Sequence, residues 1–325
     1  MSETLLEVKN IKKYFPVNDG GFFSKSNKYL KAVDDVSFKI NKGDTVGVVG
    51  ESGCGKSTMA RLVNQLITPT SGSVLFNGKD LTTISEKEIR SARKNIQMIF
   101  QNPYASLDPR KKVEKLIMEP MIIHKIGTRK EQLKRVHELL EVVGLNSYHG
   151  DRYPHEFSGG QRQRINIARS LVLNPDLVIC DEPVSALDVS IQAQILNLLK
   201  ELQKDFNLTY MFIAHDLDVV QFISDRILVM YLGKVVEAGT YTDIYDRPQH
   251  PYTKALLSAA PLKSPFEKKE RFLLEGDIPS PIDPPSGCHF HQRCPFAVEK
   301  CRSIAPELER YQGEHKVACH LTGEI

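Results

Sequence analysis

Residues Gly50-Glu51-Ser52-Gly53-Cys54-Gly55-Lys56-Ser57 fit the pattern G-x-x-x-x-G-K-[ST], and their flanks constrain the fold more than any other stretch of the chain. Before them, Thr45-Val46-Gly47-Val48-Val49 is a short, β-branched apolar run that reads as a buried strand. After them, Lys56 to Leu66 has helical character. Strand, Gly-rich turn and helix, in that order, is the context this motif requires. The glycines let the backbone turn its N–H groups toward an anion, and the helix N-terminus adds partial positive charge. Lys56 is then placed to reach terminal phosphates and the Ser57 hydroxyl to ligate Mg²⁺. The stretch expected to hold a nucleotide runs from Gly50 through Thr58.

Two further stretches bear on the same chemistry. Ser158-Gly159-Gly160-Gln161 opens another helix with a Ser and two glycines but no Lys. One nucleotide needs one cradle, so a second phosphate holder suggests a second nucleotide and a site completed by two chains. Leu177-Val178-Ile179-Cys180-Asp181-Glu182 is an apolar strand ending in two carboxylates. A carboxylate at the C-terminal end of a strand beside a phosphate loop is where Mg²⁺ needs a ligand. The adjacent one can orient or deprotonate water. An acidic strand-to-loop junction, which is common, remains the plain alternative.

Taken together over about residues 5 to 260, these stretches resemble the ATP-binding subunit of ABC transporters. Phe100-Gln101, Ser158 to Gln161, Asp181-Glu182, Ser185-Ala186-Leu187-Asp188 and His215 all stand in that family's order. The resemblance implies an α/β P-loop NTPase core with an antiparallel β subdomain and a helical subdomain. It implies that Asp181 holds Mg²⁺, Glu182 is the general base for water, and His215 grips the γ-phosphate. The resemblance further implies that Gln101 contacts metal and water and reports nucleotide state to a membrane subunit, and that Ser158 to Gln161 closes over the ATP of a neighbouring subunit. Adenine stacks on an aromatic ring after the first strand, for which Phe15 is the matching position, with Tyr14 beside it and core packing the alternative for either ring.

At 325 residues the chain has room for one large domain or two. No apolar run approaches the ~18 residues that span a bilayer, and the N-terminus has no signal-peptide layout. The expectation is a peripheral protein at the cytoplasmic face of the membrane, attached through partners. A net charge of +3 is too small to argue for nucleic acid.

Along the chain, Leu6 to Ile11 and Ala32 to Ile40 alternate apolar and polar residues, predicting an antiparallel edge sheet, with Gly20 to Asn27 an exposed loop between them. Residues 85 to 145 read as helical, with capping boxes at Ser85/Glu88 and Thr128/Glu131. The resemblance makes about 85–160 the helical subdomain of an ATPase domain spanning 1–260. Pro279, Pro281, Pro284 and Pro285 mark a rigid linker within the remaining 261–325.

That last segment holds Cys288, Cys294, Cys301 and Cys319. Four clustered cysteines in a reducing compartment argue for metal over disulfides. Zinc fits as a guess, with His289, His291, His315 and His320 as substitute ligands, but the usual C-x₂₋₄-C knuckle is missing. A [4Fe–4S] cluster suits four thiolates equally. The tail resembles the C-terminal extension of dipeptide and oligopeptide permease ATPases, which implies the cluster. Cys54 sits at a free position of the phosphate loop, and Cys180 reads as a small buried hydrophobe.

Phe100 to Arg110, Arg152 to Gln161 and Ser190 to Gln194 look like the peptide-permease group, and Pro103-Tyr104-x-Ser106-Leu107-x-Pro109-Arg110 resembles its second, F-type ATPase. The resemblance implies a second, related ATPase subunit, two transmembrane permease subunits and an extracytoplasmic peptide-binding protein as partners. Nickel importers share most of these motifs. A soluble ABC ATPase of translation or DNA repair is the rival from another class, although the iron–sulfur ribosome-recycling factor has two ATPase domains and its cysteines at the front.

Overall fold

The computed structural model describes residues 3–17, 28–102, 106–259 and 276–325. The chain opens with β1 (Thr4–Pro16) and β2 (Tyr29–Asn41), and then β3 (Thr45–Val49) runs into α1 (Lys56–Val63). β4 (Ser71–Phe76), β5 (Lys79–Asp80), α2 (Glu86–Ala92) and β6 (Ile96–Ile99) follow. Next come α3 (Val113–Ile123), α4 (Arg129–Val142), α5 (Gly159–Leu171), β7 (Leu177–Asp181), α6 (Val189–Phe206), β8 (Thr209–Ile213) and α7 (Leu217–Ile223). The described chain ends with β9 (Arg226–Tyr231), β10 (Lys234–Thr240), α8 (Tyr241–Tyr245), α9 (Pro251–Ala259), α10 (Glu299–Ser303), β11 (Glu309–Gln312) and β12 (His315–Val317).

The chain divides into two compact units. One consists of Thr4–Ile40, Thr45–Thr83 and Ala214–Ile325. It contains the expected antiparallel edge sheet, in the order β2-β1-β4-β5, with Leu6 opposite Phe76 and Val8 opposite Val74. The alternation read from the sequence buries Leu6, Val8, Val33, Val36 and Ile40, which supply its hydrophobic face. In the same unit β3, buried at all five residues, pairs in parallel with β9, with Val48 opposite Leu228. β10 lies antiparallel to β9, and β12 lies antiparallel to β10, with Glu237 opposite Val317. The segment after residue 276 therefore adds strands to the edge of the sheet that carries the phosphate loop. Pro279, Pro281, Pro284 and Pro285 lie in no helix or strand, and Lys31 N–H donates to Pro281 O at 3.0 Å.

The other unit, built mainly on Ile84–Ile213, holds the parallel set β6-β7-β8, with Ile99 beside Cys180 and Cys180 beside Phe212. α3, α4 and α5 pack on one another in this unit. Both capping boxes read from the sequence are formed, at Ser85/Glu88 on α2 and Thr128/Glu131 on α4. The expectation of helix throughout 85–145 needs correction, because Ile96-Gln97-Met98-Ile99 is strand β6. A four-residue run with three apolar side chains carries too little periodicity to separate strand from helix, and its pairing with β7 decides the matter. The loop at Gly20 to Asn27 and residues Pro103, Tyr104 and Ala105 lie outside the described residues. No helix among the described residues is long and apolar enough to cross a membrane.

Candidate nucleotide site

β3 delivers the chain into the loop at Gly50, and α1 starts at Lys56, so the motif has the strand–turn–helix setting it needs. Gly55 precedes α1 with φ +106, and a Cβ there would lie 2.0 Å from the carbonyl oxygen of Ala32. No L side chain fits that corner. Lys56 is buried, and its Nζ donates to the carbonyls of Gly50 (2.7 Å) and Glu51 (3.0 Å) and lies 3.8 Å from Cys54 Sγ. Ser57 and Thr58 occupy the first turn of α1, while Ser52 and Gly53 are exposed at the loop crest. Burial pushes the Cys54 thiol up, with Lys56 opposing it, so Cys54 packs as a neutral group.

The same unit carries the two aromatic candidates of β1. The Tyr14 hydroxyl donates to Asp34, while Phe15 is partly exposed with Lys13 Nζ 5.0 Å from its ring centroid. Of the two, Phe15 is the more exposed residue, Tyr14 being half-buried. His215 is exposed between the end of β8 and α7, next to Asp216, which caps α7 by accepting from Asp218 N–H at 2.8 Å.

In the other unit β7 ends at buried Asp181, and Glu182 follows with φ +48. That left-handed turn takes Glu182 off the strand path, and its N–H donates to Ile213 O at 3.0 Å. Gln101 Nε2 donates to Glu182 Oε2 at 2.8 Å. Two residues named separately from the sequence, 81 positions apart, are thus in contact. The Ser185 hydroxyl donates to Glu182 O at 3.1 Å, tying the following loop to the same residue. Asp188 caps α6 through Ile191 N–H (3.0 Å) and Ser190 Oγ (2.7 Å), which hold its carboxyl below the usual range.

Ser158 caps α5, its Oγ accepting from Gln161 N–H (3.3 Å) while Gln161 Oε1 accepts from Ser158 N–H (3.0 Å). At Gly160 a Cβ would stand 2.5 Å from Ile191 Cγ2, so this glycine lets α5 approach α6. Gly159, beside it, is half-buried. Capping and packing thus explain part of the stretch locally.

Residues 33–185 match the ABC transporter family, and residues 236–301 match the oligopeptide/dipeptide transporter C-terminal region. The oligopeptide transport ATP-binding protein AppF of Bacillus subtilis (strain 168) is 56% identical over 322 residues, covering 98% of each chain. The chain belongs to the ABC transporter ATPases. The dipeptide transport ATP-binding protein DppF of Haemophilus influenzae is 51% identical over 97% of this chain and 96% of its own. Among solved structures, the dimeric ATP-binding cassette MJ0796, in a post-hydrolysis state bound to ADP and Pi, superposes with a TM-score of 0.65 at 29% identity, covering 73% of this chain and 99% of that one.

Two groups of contacts in this ABC ATPase, around Glu51 and around Glu237, were not legible in its motifs. Glu51 N–H donates to the Tyr252 hydroxyl at 2.8 Å, and the Glu51 carboxylate is gripped by both terminal nitrogens of Arg293, at 2.8 and 3.0 Å. Buried Glu237 on β10 accepts from His315 Nε2 at 2.7 Å and from the N–H groups of Gln249 and His250 at 2.7 and 3.0 Å. Neither group left a signal in the sequence beyond Arg293's place next to Cys294 in the Cys-bearing tail, which does not point to Glu51.

The tail cysteines are all free thiols. Burial pushes Cys288 and Cys294 up to about 11, and the neighbouring thiols, Cys301 and Cys319 among them, add to the shift. Among the described residues, however, no three His, Cys, Asp or Glu are arranged to hold a metal ion. The expectations of a [4Fe–4S] cluster and of zinc find no support in this arrangement. The substitute ligands are engaged elsewhere: His289, His291 and His320 with the carbonyls of Leu232, Cys288 and Ile304, and His315 with Glu237. Cys180 is buried in β7, as its run of neighbours implied.

Proposed function

We propose that the chain is the ATP-binding and ATP-hydrolysing subunit of an ABC importer that drives di- and oligopeptides through a membrane permease. The Gln101–Glu182 hydrogen bond carries the hydrolytic part of this reading, because it joins a nucleotide-sensing amide to the carboxylate suited to activate water. Peptide as cargo is supported by the names of AppF and DppF and by the match of residues 236–301. The chain works at the cytoplasmic face with two permease subunits, an extracytoplasmic peptide-binding protein and a second ATPase subunit arranged head to tail.

Phosphoryl transfer asks little covalent chemistry of a protein, so positioning and charge do most of the work. The loop N–H groups and Lys56 hold the phosphates, and Phe15 stacks on adenine. Ser57, Asp181 and Gln101 are the residues suited to Mg²⁺, whose chemistry is to neutralise charge developing on the transferred group. Glu182 takes the proton of the attacking water, and His215 donates to the γ-phosphate. Ser158 to Gln161 completes the site of the neighbouring subunit.

Reconstitution with both permease subunits, the partner ATPase and the binding protein in proteoliposomes tests the reading. ATP-dependent uptake of a labelled di- or tripeptide is expected, and uptake of Ni²⁺ in its place would overturn the choice of cargo. For the tail, we propose the [4Fe–4S] cluster on the four-thiol pattern, three members of which fall within the matched C-terminal region. Iron and acid-labile sulfide in anaerobically purified protein support it, and stoichiometric zinc in a colourless sample excludes it.

A further inference from the structure

Glu51 poses an electrostatic problem. A loop that binds ATP phosphates works by presenting N–H groups and a lysine to a polyanion, and a carboxylate carried in that loop repels it. Glu51 is answered by a residue 242 positions away. Arg293 meets it in the two-pronged geometry that a guanidinium forms with a carboxylate, Nη1 to Oε2 at 2.8 Å and Nη2 to Oε1 at 3.0 Å. The Arg293 side chain is only 7% exposed and that of Glu51 23%, so the pair is poorly screened by solvent.

Arg293 is itself held in place. Its guanidinium lies 5.8 Å from the ring centroid of Tyr231 and donates to the Tyr231 hydroxyl at 3.5 Å. Tyr231 packs on Tyr252 and Phe290, with centroids at 4.7 and 5.3 Å, and Tyr252 accepts the Glu51 N–H. Phe290 and Arg293 both lie between Cys288 and Cys294. Backbone and carboxylate of one phosphate-loop residue are therefore both engaged from the C-terminal part of the chain.

We propose that Arg293 is the counter-charge of the phosphate loop: by neutralising Glu51 it lets the loop accept a polyphosphate, and it makes ATP affinity depend on the cysteine-bearing segment. Arg293 acts through Glu51, as a positioning residue rather than a catalytic one. The inference rests on the reading that Gly50 to Ser57 holds ATP.

The test is equilibrium titration of the full chain with a fluorescent ATP analogue at low and high salt. Arg293→Gln weakens ATP binding about tenfold, with a smaller loss for ADP and a loss that shrinks as salt rises. Adding Glu51→Gln to Arg293→Gln restores most of the affinity, since no carboxylate is left to repel the phosphates. Glu51→Gln alone tightens ATP binding, and this measurement stands even where Arg293→Gln does not fold. Wild-type affinity in Arg293→Gln, a double variant as weak as Arg293→Gln, or weaker binding in Glu51→Gln would each overturn the proposal. Lys56→Ala separates the two levels: unchanged affinity there overturns the loop reading itself, whereas a loss there beside an unaffected Arg293→Gln overturns only the counter-charge.

Discussion

Gln101 Nε2 donates to Glu182 Oε2 across 2.8 Å, which fixes one oxygen of the carboxylate expected to activate water. Glu182→Gln keeps the shape of the side chain and removes its basicity. ATP binding is expected to persist while turnover at that site falls by roughly 10²–10⁴-fold. Single-turnover hydrolysis in the reconstituted complex measures this, and undiminished turnover would count against Glu182 as the base. Gln101→Ala is expected to lower turnover less, because the carboxylate remains and only its orientation is loosened.

Lys56 is buried, and its ammonium bridges the carbonyls of Gly50 and Glu51. Lys56→Ala removes both a phosphate partner and a brace of the loop. The expected loss of ATP affinity is roughly 10–100-fold, the range for losing a hydrogen bond to a charged group. Isothermal titration of the full chain checks it, and an unaltered Kd would exclude Lys56 from phosphate contact.

The parts of this site that could be read from sequence are local ones. β3, Gly55 and α1 follow from a β-branched run, a glycine and a helix within twenty residues, and the boxes at Ser85 and Thr128 need only three residues of spacing. Longer-range relationships left no such trace. β6 is four residues long and takes its strand character from β7. Phe15 is the matching position with Tyr14 beside it, but that Asp34 engages Tyr14 leaves no trace in the sequence. Glu51 reads as a filler position of its motif, and its partner Arg293 can be found only in the folded chain. The four cysteines were conspicuous, yet their spacing does not dictate how their sulfurs are arranged.

His250 is fully buried, accepts from Tyr252 N–H through Nδ1 at 3.1 Å and packs on Phe290 at 5.6 Å between ring centroids. Burial pushes its pKa down to about 4, and Glu237 only partly opposes this. In the unfolded chain the imidazole titrates near 6.5. Between pH 6.5 and 4 the unfolded state therefore binds the extra proton, so stability is intact above that window and falls as pH drops through it, by about 3 kcal/mol in all. Denaturant unfolding at pH 7 and pH 5 should show a smaller drop for His250→Asn than for the wild-type chain. Equal drops in the two proteins would mean that His250 does not carry this dependence.

Ser158 has two duties that a single substitution can separate. It caps α5 within its own chain, and its proposed second duty is to face the nucleotide of the neighbouring subunit. Ser158→Asp keeps the cap, since Asp serves as well as Ser at that position, but adds a negative charge where a γ-phosphate must approach. The isolated variant is expected to melt like the wild-type chain and to bind ATP with the same affinity, because its own phosphate loop is untouched. Ser158→Ala, by contrast, costs about 1 kcal/mol of stability through the lost cap. In the assembled transporter Ser158→Asp is expected to block hydrolysis in the partner's half. Normal turnover there, measured with the other half silenced by Glu182→Gln in this chain, would show that Ser158 serves only its own helix.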